Sequence, residues 1–276
     1  NPYASAIDFI NLRTASTGID AKYYVWDPLL PGSYGYGAYQ TISSANGYLP
    51  VPGYTTNYPT GIPYTRIQSG QAFFVYSTPG GTVNFTEDCK TAGSQQVFRP
   101  GMDTRGRQFL RAYLYTATGN LADGNALAFD PSYSNTFEDN DAIKLSNFGE
   151  NFGILSQGQW LAVEARKPVL RTDTIYYQLN NLRSNTSYKI RFAPENLHVS
   201  GLQALLVDKF TRQLTPISLS DESDIIFEIT SDPASRAPDR FYIIFQMMRP
   251  LPVTILQVDA TRKPDQVVVA WTVEQE

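Results

Sequence analysis

The sequence contains one cysteine and one histidine, Cys89 and His198, among 276 residues. An intrachain disulfide and a cysteine-based zinc site are therefore excluded, and a histidine-rich metal site cannot be built. We interpret Cys89 as a small buried side chain and His198 as a loop or strand-end residue, because a Cys–His dyad would require these two residues to meet. The scarcity of cysteine does not identify the compartment, since a chain of this length can fold without disulfides.

Charged residues are also scarce, at 17% of the chain, and the formal net charge is -4. Nucleic acid is not expected as the main partner, because phosphate binding requires clustered Lys and Arg. No apolar run approaches the roughly 18 residues of a membrane helix, so direct membrane insertion is not expected. The first ten residues lack the basic and apolar regions of a signal peptide, and a signal peptide that had been removed would leave the same pattern.

Catalytic motifs are missing as well. The sequence has no G-x-S-x-G elbow and no phosphate-binding Walker loop. A glycosidase needs two carboxylates across a cleft, but no spacing singles out a pair, and Glu164 and Glu228 are expected on a solvated strand face. We therefore expect no enzyme activity and no cofactor, with calcium left open.

The residues that are present favour a packed β protein. Hydrophobic residues make up 42% of the chain and aromatic residues 13%, which is incompatible with disorder at this low charge. Apolar and polar residues alternate with period two, as in residues 186–192, where Tyr188, Ile190 and Phe192 are expected inward. Turn residues recur roughly every 8–12 positions, which is typical of antiparallel sandwiches.

We predict an all-β fold with two β-sandwich (jelly-roll-like) modules in series and a C-terminal β-hairpin or linker. Residues 1–100 form a Tyr/Gly/Pro-rich module, residues 101–249 a sandwich, and residues 250–276 a linker with the first strands of a further domain. Within the first module, residues 71–87 (QAFFVYSTPGGTVNFTE) are predicted to form a hairpin with its turn at Pro79-Gly80-Gly81. Only residues 137–147 (FEDNDAIKLSN) are predicted to host a helical turn or two.

Several motifs together resemble a known group of proteins. They are NPYASAIDF, YYVWDP, IQSGQAFFVY, VNFTEDCK, LADGNALAFDPSYSNTFEDNDAIKLSN, LAVEARKP, LQALLVDKFTRQLTPISL and PDRFYIIF. The group comprises modules of large Bacteroidota cell-surface proteins exported by the type 9 secretion system. The last segment, LPVTILQVDATRKPDQVVVAWTVEQE, is similar to the start of the fibronectin-like domain that precedes the sorting domain. In that group Asn-Pro-Tyr follows a strand reading roughly GWNLVG, so the first module here is expected to lack its first strand.

The resemblance implies an extracellular or outer cell-surface location and a structural or adhesive role, without naming a ligand. Neighbouring modules or copies of the same chain are the expected partners, because an open sheet edge is a template for another chain. Strand complementation into a fibre is one hypothesis, and a fragment of a longer polypeptide is the other. The alternative function is a carbohydrate-binding accessory module of a secreted glycan-degrading system, with surface polysaccharide as partner.

Tyrosines are the first group of candidate ligand-binding residues, because exposed aromatic faces bind sugar rings and phenol hydroxyls bind sugar hydroxyls. Packing of tyrosine and proline in irregular loops is the alternative interpretation. The candidates are Tyr34, Tyr36, Tyr39, Tyr54, Tyr58 and Tyr64.

An acidic loop at residues 130–141 is the second group, since closely spaced carboxylates suit calcium. Its candidate ligands are Asp130, Glu138, Asp139 and Asp141, with Asn140 beside them. The alternative is that Asp139 and Asp141 cap a turn or helix beginning near Ala142. Separately, the triplet Asp173-Thr174-Ile175 resembles the sequon at which Bacteroidota attach O-glycans, which makes Thr174 a candidate glycosylation site.

Overall fold

A computed structural model describes residues 1–92, 106–197, 199, 201–247 and 253–275. In the last of these ranges, side chains are described for residues 257–272. Strands account for 51% of the chain and helix for 7%, so the predicted all-β class is confirmed. The chain divides into two compact units, Asn1–Gln246 and Met247–Glu276. His198 lies outside the described residues.

Residues 1–92 carry one short helix and two sheets. The elements are β1 (Ala6–Asp8), α1 (Phe9–Ala15), β2 (Thr17–Asp27), β3 (Ala38–Ser43), β4 (Pro50–Val51), β5 (Arg66–Ile67), β6 (Phe74–Thr82) and β7 (Lys90–Thr91), with 3-10 turns at Ser44–Asn46 and Glu87–Cys89. The sheets have the strand orders β5-β1-β7 and β4-β3-β2-β6.

Residues 106–247 carry one large sheet of eleven strands. The strands are β8 (Gln108–Thr116), β9 (Leu121–Phe129), β10 (Ala142–Ile143), β11 (Asn151–Ser156), β12 (Gln159–Arg166), β13 (Thr174–Asn180), β14 (Thr186–Glu195), β15 (Leu202–Asp208), β16 (Gln213–Ile217), β17 (Ser223–Ile229) and β18 (Phe241–Met247), with a 3-10 turn at Pro233–Arg236. Their order in the sheet is β16-β15-β18-β13-β11-β12-β9-β8-β14-β17, and β10 pairs with β12.

This sheet encloses a large apolar core, and smaller buried clusters that contain its residues also include residues of the first 92 positions. The alternation predicted in β14 is confirmed, because Tyr188, Ile190 and Phe192 are fully buried. Both end strands contribute side chains to this core, Ile217 from β16 and Phe227 from β17, and the ring of Phe227 lies 4.9 Å from that of Phe241 in β18. The sheet therefore folds over its own apolar face, although its two end strands do not pair.

Two local predictions are wrong. Residues 71–87 do not form a hairpin, because β6 runs through Pro79-Gly80-Gly81 and pairs with β2 along its length, with shifts in register. Residues 137–147 contain the strand β10 and no helix. The α-helix lies instead at Phe9–Ala15, where Asp8 accepts hydrogen bonds from the free amides of Ile10 and Asn11 and caps its start.

Residues 1–92 and 106–247 pack together within the first unit. The ammonium group of Lys22 donates to the carbonyl of Asp141 at 2.7 Å, and this lysine is only 2% exposed. The amide of Ser33 donates to Glu150 at 3.1 Å. The boundary expected near residue 100 therefore separates two groups of sheets inside one compact unit.

The second unit is a two-stranded hairpin formed by β19 (Val253–Lys263) and β20 (Gln266–Gln275). The antiparallel register pairs Val258 with Trp271 and Ala260 with Val269, and a bulge interrupts it between Ile255 and Gln257. The predicted C-terminal hairpin is thus present in the structure.

Candidate functional site

An aromatic row crosses the first unit, formed by Phe148, Trp26, Tyr39 and Phe74 in that order. Successive ring centroids lie 5.7, 4.9 and 5.9 Å apart, each pair in an edge-to-face arrangement. The two ends are the most open, with Phe148 76% and Phe74 55% exposed. Exposed aromatic side chains in contact with one another form a surface that can bind an apolar face of a ligand.

Strand register and hydrogen bonds hold the row in place. Trp26 of β2 pairs directly with Tyr39 of β3, which puts both rings on one face of the sheet. Asn147, next to Phe148, accepts a hydrogen bond from the amide of Tyr39 at 2.9 Å and so ties the two segments together. Gly37 has φ +85°, and a Cβ there would lie 2.8 Å from the indole nitrogen of Trp26, so only glycine permits this packing.

The predicted tyrosines fall into separate environments. Tyr39 belongs to the aromatic row, whereas Tyr34 and Tyr36 stack on each other at 6.0 Å. Tyr34 is also held by a hydrogen bond to the carbonyl of Asn181 and by the guanidinium of Arg183 over its ring. Tyr36 is 60% exposed and remains available to a partner.

Two of the predicted tyrosines are core residues. Tyr58 and Tyr64 are 5% and 6% exposed, and their rings pack 4.8 Å apart. Burial raises the pKa of Tyr64 to about 12. Their burial favours the alternative of packing and does not support the predicted role in ligand binding. Tyr54 is 46% exposed and packs edge-on against Tyr113.

Three of the four candidate carboxylates of the acidic loop, those of Asp130, Glu138 and Asp141, accept hydrogen bonds from protein donors. Asp130 accepts from the amide and hydroxyl of Ser132, which lower the pKa of its carboxyl. Asp141 accepts from the amides of Glu138 and Ala165, and Glu138 accepts from Asn140. In the described ranges, no group of three or more His, Cys, Asp or Glu could hold a metal ion.

These contacts do not support a calcium site and favour a structural role for the loop. Asp141 closes the turn that precedes it, because its side chain accepts from the amide of Glu138. The alternative of a cap for a turn or helix beginning near Ala142 is wrong, because the strand β10 begins there. The backbone carbonyl of Asp139 accepts from Lys22 at 3.2 Å, so the loop also helps to bury that lysine.

A polar cavity of about 360 Å³ lies beside β12 and β13. Serine, threonine, glutamine and asparagine side chains line it together with charged groups and a tyrosine ring. Its lining residues are Asn135, Leu155, Ser156, Gln157, Glu164, Arg166, Thr172, Asp173, Thr174, Ile175 and Tyr176.

Arg166 lies between two carboxylates in this cavity. Its guanidinium is 3.1 Å from Asp173 Oδ2 and 3.7 Å from Glu164 Oε1, and the Ser156 hydroxyl donates to the same Glu164 oxygen at 3.0 Å. The Nε of Arg166 is buried without a hydrogen-bond partner. Burial raises the pKa of Glu164, an effect opposed by Arg166.

The expectation of a solvated Glu164 is wrong, because this residue is 5% exposed. β12 is an interior strand, and residues on both of its faces are buried from Leu161 to Arg166. Glu228, on the edge strand β17, is exposed as expected. Thr174 is half-buried at the start of β13, and its glycosylation stays a prediction.

The hairpin carries a third candidate surface. Because directly paired residues share a face, Val258, Ala260, Val267, Val269 and Trp271 lie on the same side, which also carries Arg262, the partner of Val267. We call the five uncharged residues the hairpin apolar face. Trp271 is 65% exposed and Val267 63%. The opposite side is more polar, with Gln257, Asp259, Thr261 and Thr272 beside Val268 and Ala270.

Sequence reasoning missed most of the residues that form these surfaces. Trp26 and Phe74 each lie in a strand whose residues alternate between two faces, and this alternation could have indicated them. Phe148 joins them only through the tertiary contact made by Asn147. Arg166, Asp173 and Tyr176 line one cavity because β12 and β13 both lie beside β11 in the sheet.

No helix among the described residues is long and apolar enough to cross a membrane. No known protein family, curated protein or solved structure matches this chain.

Proposed function

We propose that the chain is a non-catalytic structural or adhesive module of a large bacterial surface protein, located outside the cell, and that it joins a neighbouring β module through the hairpin apolar face. The observation that carries the proposal is the exposure of Val258, Val267, Val269 and Trp271 on one side of a two-stranded sheet.

A hairpin of this kind needs a covering surface. Isolated two-stranded hairpins are marginally stable in water, and burial of a valine or larger apolar side chain contributes about 1.5–3 kcal/mol. Three valines, an alanine and a tryptophan lie on one face with a single arginine, and the other face is mostly polar, which is typical of one layer of a sandwich. The occupant that fits is therefore the apolar face of another sheet, and a second copy of this chain supplies one.

The test is self-association of the full chain, measured by sedimentation velocity over a range of concentrations. We expect wild-type chains to associate and the variant Val269→Asp to remain monomeric, because a carboxylate on the apolar face would be desolvated on assembly. Val268→Asp is the matched control, since Val268 lies next in the strand but on the opposite face.

Amide hydrogen exchange supplies the second readout. Protection of residues 253–275 is expected to rise with protein concentration in the wild type and in Val268→Asp only. A chain that stays monomeric, with hairpin amides equally protected at every concentration, would show that the hairpin needs no neighbour and would contradict the proposal.

Carbohydrate binding is the second candidate function, and the aromatic row favours it. Its exposed rings, Phe74 and Phe148, flank Trp26 and Tyr39 in an unbroken series of contacts. Pyranose rings have apolar C–H faces that pack on aromatic rings, and a series of rings can follow consecutive sugars of one chain.

Retardation in polysaccharide-containing native gels tests this function. We expect Phe148→Ala to reduce retardation by a neutral polysaccharide, because it removes the most exposed ring of the row. Phe137→Ala is the control, as Phe137 is 39% exposed and has no part in the row. Equal mobility of all three proteins in gels with and without polysaccharide would reject binding by the row.

A further inference from the structure

The polar cavity beside β12 and β13 is a separate feature from both surfaces discussed above. Its volume of about 360 Å³ falls within the range of small-molecule sites. None of its lining residues belongs to the aromatic row or to the hairpin apolar face. The roles proposed for those two surfaces therefore do not account for this cavity.

Arg166 is the strongest indication that the cavity receives a ligand. Its side chain is 8% exposed, yet its Nε has no hydrogen-bond partner and its contact with Glu164 is long, at 3.7 Å. Buried guanidinium groups are usually saturated with acceptors, because leaving a buried donor unpaired costs about 1–3 kcal/mol. A ligand with acceptor oxygens would supply the missing partners once the side chain adjusts toward it.

The two carboxylates also retain acceptor capacity. Glu164 contacts Ser156 and Arg166 through Oε1, and its Oε2 takes part in neither contact. Asp173 likewise uses Oδ2 for its contacts with Arg166 and with the amide of Leu170. The free carboxylate oxygens can accept hydrogen bonds from ligand hydroxyl groups.

The charge pattern narrows the ligand class. The two carboxylates would repel an anion, and the guanidinium between them would repel a simple cation. A neutral molecule with several hydroxyl groups suits both, since each hydroxyl donates to a carboxylate and accepts from Arg166 or a threonine hydroxyl. Tyr176, which is 48% exposed, adds an aromatic ring at the same cavity.

We propose that this cavity binds one neutral pyranose unit, with Arg166, Glu164 and Asp173 bonding its hydroxyl groups and Tyr176 packing against its C–H face. The ligand class follows from the alternation of donors and acceptors and from the size of the cavity. The proposal is independent of the hairpin and of the aromatic row.

The test is saturation-transfer NMR with the full chain and millimolar glucose, galactose, mannose or N-acetylglucosamine. Glucuronate and glucosamine serve as the anionic and cationic comparators. Intact mass first verifies that Thr174 carries no modification, because an attached glycan would occupy the cavity that this residue lines. We expect at least one neutral sugar to bind and neither charged comparator to bind more tightly.

Two lining variants locate the site without disturbing buried charges. Tyr176→Ala removes the ring, and Thr172→Val removes an exposed hydroxyl with little change in shape. Each is expected to weaken binding about threefold to tenfold. Tyr242→Ala is the matched control, because Tyr242 packs on Tyr176 at 5.7 Å and does not line the cavity.

Several results would overturn the proposal. They are absence of binding by every neutral sugar, tighter binding of a charged comparator, and unchanged affinity in both lining variants that circular dichroism finds folded. Loss of monosaccharide binding in Phe148→Ala alone would also overturn it and would assign the sugar to the aromatic row instead.

Discussion

At the scale of single residues, the most consequential group is a buried ion pair. Lys144 contacts Asp123 at 2.7 Å, and Asp123 is completely buried. The same carboxylate accepts the amide of Phe152 at 2.7 Å, so it joins β9 to β11. Burial raises the pKa of Asp123, and Lys144 opposes that rise.

We predict that Lys144→Met lowers the free energy of unfolding by about 3–5 kcal/mol, because it leaves a buried carboxylate without its cation. Urea unfolding at neutral pH measures the loss. Lys209→Met is the matched control and should change stability by less than about 1 kcal/mol, since the Lys209–Asp239 pair is exposed.

The loss of unfolding free energy caused by Lys144→Met, here called the deficit, should also depend on pH. A carboxyl whose folded pKa lies above its unfolded pKa stabilises the fold below the unfolded value, and this stabilisation is lost as pH rises through the folded value. Removing Lys144 raises the folded pKa of Asp123 further, so the deficit should shrink as the solution is acidified. A deficit that is small at neutral pH, or that grows on acidification, would contradict this account.

Residue-level expectations failed where burial, rather than residue type, decides the role. Tyr36 and Tyr58 are both tyrosines in a Gly/Pro-rich segment, yet one is 60% and the other 5% exposed. Glu164 has a polar side chain on an alternating strand and is nevertheless buried beside Arg166. Exposure depends on what packs over a residue, which local sequence does not specify.

At the scale of elements, alternation predicted strands well and turn residues predicted turns less well. The strand at Thr186–Glu195 alternates as its sequence indicates. By contrast, Pro79-Gly80-Gly81 has the composition of a tight turn but lies within β6, where Gly81 passes close to the backbone of Thr17 and Gly18. Glycine permits close strand approach as readily as a turn, so its presence alone does not choose between them.

The helix at Phe9–Ala15 was missed for a related reason. It has 7 residues, which is too short to display a helical period, and only Phe9 and Leu12 are buried. Its start depends on the Asp8 cap and on the packing of those two side chains in the core of residues 1–92. Isolated helices of this length are unstable, so tertiary contacts decide this element.

At the scale of the whole molecule, residues 1–246 form one compact unit although no strand pairing joins residues 1–92 to 106–247. The connection is made by side chains, including Lys22 with Asp141 and Glu150 with Ser33. Because buried polar contacts of this kind are costly to break, the two groups of sheets should unfold together.

We predict that the thiol of Cys89 becomes reactive at the same urea concentration at which β12 unfolds. Cys89 is fully buried in residues 1–92, and Trp160 reports on β12 by fluorescence in a Trp26→Phe, Trp271→Phe variant. Cys89→Ser is the control for the reagent. Reaction of Cys89 at a lower urea concentration, with Trp160 still in its native state, would show two independently folding modules.

The sequence by itself determined the all-β class, the strands with clear alternation, the hairpin near residues 250–276 and the exclusion of cysteine- and histidine-based metal sites. These properties follow from composition and from the period of two, which each strand carries locally. Tertiary structure alone decided which tyrosines are exposed, how Phe148 joins Trp26, and that Arg166 meets Glu164 and Asp173 in one cavity. The physical reason is that strand order decides which side chains meet. Phe148 and Trp26 are far apart in the chain and meet only in the folded unit, whereas Glu164, Arg166 and Asp173 are close in the chain and meet because β12 and β13 flank β11. The order of the strands cannot be read from the alternation of any one of them.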